Sequence, residues 1–167
     1  MTGEDLERRL EALHPACHGW ALNCCRWDRE EAEDVLQTAY LKVLDGRARF
    51  AEQSSFKTWL FGVIRRTALE RRRSRWLRSL ATLSWLDGRP PEVTVASPAA
   101  VFDVEETARS LRAALLTLPA RQREVLHLVF YQDLTVEEAA GVLGIAVGSA
   151  RTHYHRGKAS LQARLAR

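Results

Sequence analysis

Two helices and the corner between them are written into Thr135–Leu165, TVEEAAGVLGIAVGSARTHYHRGKASLQARL, and no other stretch restricts the fold as tightly. Thr135 followed three residues later by Glu138 is a capping-box start, and Gly144 offers a left-handed C-cap to the short apolar helix between them. The next helix begins near Gly148 or Ser149. On it Ala150, Tyr154, Gly157, Leu161 and Leu165 form one stripe at spacings of three and four, while Ser149, Arg151, Thr152, His155 and Arg156 share the opposite face, with Lys158 on the next turn. The apolar stripe docks, which leaves the polar face to touch something else. Two guanidiniums, a hydroxyl and an imidazole near a helix N-terminus suit the second helix of a helix-turn-helix, because Arg pairs bidentately with guanine in the major groove. An ordinary polar surface face is the competing explanation, and the rest of the chain decides between them.

Helical periodicity continues through most of the 167 residues, with no strand pattern to rival it and no internal repeat. Leu6, Leu10 and Leu13 start a stripe that breaks at Pro15 and resumes through Trp20, Ala21 and Cys24. A helix from Glu30 to Leu44 opens behind Asp28 and turns Ala32, Val35, Leu36, Ala39, Val43 and Leu44 inward, leaving Asp34, Gln37 and Leu41 outside; Gly46 closes it. A third helix, capped at Ser54 or Ser55, buries Trp59, Leu60, Val63, Ile64 and Ala68. Between Leu80 and Val101 the pattern fails: the stretch holds three of the five prolines, and Pro90-Pro91 bars a helix. It reads as an extended linker in which Trp85 and Leu86 are too apolar for a pure spacer. Beyond it, Val104–Thr117 turns Ala108, Leu111, Ala114 and Leu115 inward. Leu118-Pro119 forces a break, and Ala120–Tyr131 buries Val125, Leu126, Leu128 and Val129. The expected fold is therefore all-α: two small helical modules, 1–78 and 103–167, joined by a flexible linker over 79–102, the second a four-helix module ending in the helix-turn-helix.

Charge is distributed unevenly along this chain. The net charge of +4 resolves into −5 over residues 1–46, +8 over 47–91, −2 over 92–134 and +3 over 135–167. Alternating patches suit two surfaces that face a polyanion and two that face something else. The densest basic stretch carries Arg65, Arg66, Arg71, Arg72, Arg73 and Arg75 on one helix, where cations so close repel unless anions lie between them. A phosphate backbone would relieve that repulsion, and the nearby Phe50, Phe56, Trp59 and Trp76 offer platforms for unpaired bases.

Three stretches in order, EEAEDVLQTAYLKVL, SSFKTWLFGVIRRTALERRR and LPARQREVLHLVFYQDLTVEEAAGVLGIAVGSARTHYHRGKASL, resemble bacterial RNA polymerase sigma factors of the extracytoplasmic-function group (ECF, group IV). The similarity spans about four fifths of the chain. It implies a subunit that is not an enzyme, joins core RNA polymerase and directs promoter-specific initiation, with an anti-sigma factor as a common further partner. In that family the helix matching Glu31–Leu44 binds the polymerase clamp helices, and its Asp-x-x-Gln positions fall on Asp34 and Gln37, with Leu41 on the same face. The part matching Ser54–Arg75 recognises and holds open the minus-ten element, which assigns the melted strand to Ser54, Ser55, Phe56, Lys57, Trp59, Arg65, Arg66, Arg72 and Arg73. The helix matching Ser149–Leu165 reads the minus-thirty-five element, which assigns Ser149, Arg151, Thr152, His155, Arg156 and Lys158 to duplex DNA. The physical reading agrees: opening duplex costs ~1–2 kcal/mol per step in lost stacking, and exposed aromatics and cations repay part of it.

Other classes fit less of the sequence. A free-standing helix-turn-helix regulator leaves FKTWLF and the arginine-rich helix without purpose. An enzyme needs a Gly-rich phosphate loop or a converging nucleophile and base, and the histidines here read as lying on exposed faces. No cofactor or small-molecule substrate is implied. His14, Cys17, His18, Cys24 and Cys25 are of zinc- or copper-ligand types, but buried cysteine behaves as a small hydrophobe and Trp20 and Trp27 stand beside them, so core packing is the expectation and metal binding the weaker alternative. Three cysteines, two of them adjacent, make no disulfide framework and point to a reducing cytoplasm. No apolar run reaches the length of a membrane span and no leader pattern is visible, so membrane insertion is not expected.

Overall fold

A computed structural model describes residues 3–83 and 104–166, and among these there are seven helices and no strand. The described residues divide into two compact units. The first takes the chain up to Arg49 and resumes at Val63; the second takes Phe50–Gly62 and the chain from the fourth helix onward. The division thus cuts one helix at Gly62, inside the stretch 1–78. Residues 84–102 of the inferred linker, including Trp85, Leu86 and Pro90-Pro91, lie outside the described residues.

In the first unit α1 (Gly3–Cys24) packs on α2 (Arg29–Leu44). α1 runs unbroken past Pro15, in contrast to the break read from the sequence. A proline removes one hydrogen bond and crowds one carbonyl, and here the buried side chains on both sides of it, Leu10 before and Cys17, Trp20 and Ala21 after, keep one helix axis. The corner after α1 places Arg26 and Trp27 at φ 53 and 68, and Asp28 then caps α2, its carboxylate accepting from the Glu31 N–H at 3.0 Å. α3 (Phe56–Leu83) starts behind Ser55, whose Oγ accepts from the Thr58 N–H at 3.1 Å. It continues five residues into the stretch assigned to the linker, because RSLATL still holds helix formers and the proline pair comes only later. From Val63 onward α3 contributes Val63, Ile64, Thr67 and Ala68 to the buried residues of this unit, and Lys42 on α2 reaches Thr67 and Glu70. Leu44, read as inward, is 50% exposed.

The second unit gathers α4 (Val104–Leu116), α5 (Ala120–Phe130), α6 (Val136–Leu143) and α7 (Val147–Leu165) around α5 and α7, with Phe50–Gly62. α5 is buried without interruption from Arg123 to Leu128, more completely than a one-sided apolar stripe allows. Val129, read as buried, is half-buried; Ala108 on α4 and Leu165 at the end of α7 are exposed. The capping box of α6 is complete: Thr135 Oγ1 accepts from the Glu138 N–H at 3.1 Å, and Glu138 Oε2 accepts from the Thr135 N–H at 2.8 Å. Gly144 takes φ 62, the left-handed geometry that a side chain resists. α7 begins at Val147, one or two residues earlier than the sequence suggested, and docks through Ala150, Gly157, Tyr154 and Leu161; the last two pack on Leu115, Leu118 and Leu126. At Gly157 an added Cβ would stand 3.1 Å from both Gln122 Cβ and Leu126 Cδ1, so glycine is what allows α7 to approach α5 this closely.

Candidate functional site

The outward side of α7 is a continuous polar face. Ser149, Arg151, Thr152, His155, Arg156 and Lys158 are all exposed, and Ala150 and Gly157 behind them are buried. Two of the six are already engaged. Thr152 Oγ1 donates to the Gly148 carbonyl at 3.0 Å, leaving its lone pairs for an incoming donor, and Arg151 Nη2 donates to Glu137 Oε1 at 2.7 Å across the corner to α6. The Arg151 guanidinium holds the Glu137 carboxyl below the usual carboxylate range. The His155 ring stands edge-on to Tyr154 at 5.4 Å.

The residues assigned to a melted strand are divided between the two units. In the second, Ser54 and Ser55 are exposed, and Phe50, Phe56 and Trp59 form a ring cluster with centroids 5.3 to 5.4 Å apart. Phe56 is only 8% exposed, so here its ring packs within the fold; Trp59, read both on the buried side of its helix and as a stacking platform, is half-buried. Lys57 Nζ donates to the Gln132 carbonyl at 2.6 Å and lies 5.6 Å from the centre of the Phe61 ring, so its cation is committed within the fold. In the first unit Arg65 is 9% exposed and is withdrawn from solvent, which corrects its assignment to an open surface. Arg66, Arg72 and Arg73 are exposed. The repulsion expected in this arginine run is met partly from within: Arg71 pairs with Asp34 at 2.8 Å, Arg75 pairs with Glu31, and acidic α2 thus supplies anions the sequence argument sought outside.

The outer side of α2 carries Asp34, Gln37 and Leu41, with Leu41 59% exposed. Leu44 joins them. It stands three residues after Leu41 and seven after Gln37, a spacing that could have placed it on this face, and the apolar tally of the helix end hid it. Together these make one stripe with an acid at one end, already held by Arg71, and two exposed leucines at the other.

The histidine and cysteine segment is a packing region in this fold. Cys17 and Cys25 are buried, Cys24 is half-buried, and none of the three forms a disulfide. Burial pushes the Cys25 thiol up to about 12, so it stays protonated and is a poor nucleophile or ligand. His14 Nδ1 lies 3.2 Å from the Tyr40 hydroxyl, and among the described residues no three His, Cys, Asp or Glu side chains converge as a metal site would require. His127 on α5 departs furthest from the exposed pattern read for the histidines: it is 3% exposed, and burial lowers its pKa to about 4.

Two family descriptions match this chain, Sigma-70 region 2 over residues 10–78 and Sigma-70, region 4 over residues 108–161. The ECF RNA polymerase sigma factor SigX of Bacillus subtilis is 32% identical over 133 residues, covering 78% of this chain and 68% of SigX. The chain belongs to the ECF sigma-factor family. ECF sigma factor EcfG of Rhodopseudomonas palustris is 29% identical over 162 residues, which is 97% of this sigma factor and 86% of EcfG. The fold also matches the sigma factor RpoE of Bartonella quintana, solved with the anti-sigma factor NepR, at TM-score 0.75, 24% identity and 97% of each chain. CnrH, solved with the cytosolic domain of CnrY, matches at TM-score 0.67, 22% identity, 98% of this chain and 89% of that one. This sigma factor therefore recognises promoters and directs transcription initiation, with RNA polymerase and promoter DNA as partners. No helix among the described residues is long and apolar enough to cross a membrane.

Proposed function

We propose that this sigma factor, a group IV member acting in the cytoplasm without enzymatic activity or cofactor, divides promoter recognition between residues 1–78 and 103–167, joined by 79–102. The outward face of α7 reads the minus-thirty-five element through Arg151, His155 and Arg156, with Ser149, Thr152 and Lys158 on neighbouring phosphates. Arg66, Arg72 and Arg73 attract the backbone at the minus-ten element, and Trp59 with Phe56 receives unpaired bases once the strands part. Asp34, Gln37, Leu41 and Leu44 dock on core polymerase, and an anti-sigma factor that competes for such surfaces is a further partner. The observation that supports this best is the exposure of all six polar residues of α7, three of them cations and one an imidazole, on the second helix of a helix-turn-helix that is seated through Ala150 and Gly157.

Run-off transcription with purified core polymerase on the DNA upstream of its own gene tests the whole reading. The chain should confer a defined start site that core enzyme alone does not use. In a separate co-purification with core enzyme, Asp34→Ala with Gln37→Ala should abolish stoichiometric binding while leaving the melting curve of the chain near wild type, both side chains being exposed. Co-purification unchanged by the double substitution would remove α2 from the polymerase interface.

A further inference from the structure

Glu137 and Glu138 stand side by side in the first turn of α6, and they do different work. Glu138 closes the capping box and so belongs to the helix start. Glu137 stands outside the capping box, and beyond a contact to its own backbone N–H its carboxylate serves another partner. Its carboxylate leans across the corner and takes a hydrogen bond from Arg151 Nη2 at 2.7 Å, with both side chains more than half exposed, 54% for Glu137 and 62% for Arg151. An exposed ion pair contributes little to folding, because two long side chains lose rotamer freedom in water of high dielectric. An acid at this point is also a liability on a DNA-facing surface, since it cancels attraction between Arg151 and phosphate. If Arg151 served only as a diffuse positive charge, Glu137 would weaken it.

The pair makes sense if direction matters more than charge. An arginine free in solvent samples many rotamers, and a bidentate base contact demands one plane and one approach. The contact to Glu137 uses one of the five guanidinium N–H donors and so tethers the group without exhausting it. We propose that Glu137 is a positioning residue that fixes the Arg151 fork for a single base pair of the upstream element, trading general affinity for sequence discrimination. This rests on the reading that Arg151 faces the minus-thirty-five DNA.

The test uses holoenzyme assembled from core polymerase and the full chain, on a promoter it selects, with each base pair of the upstream element changed in turn. Arg151→Ala should reduce discrimination at one position by about tenfold. Glu137→Ala should erase most of the discrimination at that same position while binding to non-promoter duplex strengthens. Glu137→Gln, whose amide oxygen still accepts from Nη2, should keep part of it. In the Arg151→Ala background Glu137→Ala should change the base preference no further. A merely structural role for Glu137 would move thermal stability and leave the base-by-base profile intact, and that result overturns the inference. So does a Glu137→Ala effect of equal size with and without Arg151. If Arg151→Ala alone leaves every base preference unchanged, the assignment of Arg151 to the upstream element fails first, and the role of Glu137 fails with it.

Discussion

His127 illustrates how much one side chain's surroundings decide. The Gln132 amide nitrogen lies 3.2 Å from its Nε2. Buried beside that amide, the ring stays neutral at pH 7. Burial lowers its pKa from 6.5 to about 4. Above pH 6.5 the folded and unfolded chains both hold the ring neutral, and His127 adds nothing to the pH dependence. As pH falls from 6.5 towards 4 the unfolded chain takes up a proton that the folded chain refuses, so stability declines with pH, and below about 4 the loss is complete. A shift of this size corresponds to ~3 kcal/mol. Denaturant midpoints measured from pH 7 to 4 should fall more steeply for the wild type than for His127→Leu, although that variant loses the contact between the ring and the Gln132 amide and is less stable at pH 7. Parallel slopes would show that the ring titrates normally. The sequence did not disclose this burial, because Arg123 and Glu124 just before it, themselves 4% and 7% exposed, make the segment look like surface.

At the scale of elements, legibility tracks how local the determinant is. The α6 start and stop follow from Thr135, Glu138 and Gly144, all within one short helix, and they were readable as written. Which faces are covered depends on neighbours far along the chain. α5 lies among α6 and α7, so Arg123–Leu128 is buried on every side, and Leu44 turns outward where α2 ends. The seat of α7 on α5 gives a test by contrast. At Gly141, exposed on α6, an added Cβ meets nothing within 4 Å, whereas at Gly157 it meets Gln122 Cβ and Leu126 at 3.1 Å. Gly141→Ala should therefore stabilise the chain by ~0.5–1 kcal/mol through helix propensity alone. Gly157→Ala gains the same propensity but must push α7 from α5 at a cost of ~1–3 kcal/mol, so its net effect is a lower melting temperature. Thermal unfolding of the two variants beside wild type separates the signs; stabilisation by both would mean that the α5–α7 contact yields without cost.

At the scale of the whole chain, Ser54–Arg73 read as one surface, and the fold assigns its two ends to different units. Phe56, Lys57 and Trp59 lie in the second, where the Lys57 ammonium finds a backbone carbonyl 75 residues away in sequence, at Gln132. No periodicity or spacing reports a contact of that range, which is why a lysine in a basic, aromatic stretch reads as a DNA contact. If Phe56 serves the melted strand as proposed, and Lys57 beside it as its sequence suggests, both must first leave these positions. That exchange is feasible, since one hydrogen bond to a charged donor contributes ~1.5–3 kcal/mol, less than a promoter contact network supplies. A tether should then block it. With Lys57→Cys and the exposed Asp133→Cys bridged by a short bismaleimide, run-off transcript should fall by about tenfold or more, ~1.4 kcal/mol or above, relative to the same double variant left unbridged. Single variants given the same reagent separate bridging from labelling of the half-buried Cys24. Undiminished transcription by the bridged chain would mean that the segment around position 57 stays beside Gln132 while the promoter opens, and the melted strand would then have to rely on Trp59 and on Arg66, Arg72 and Arg73 alone.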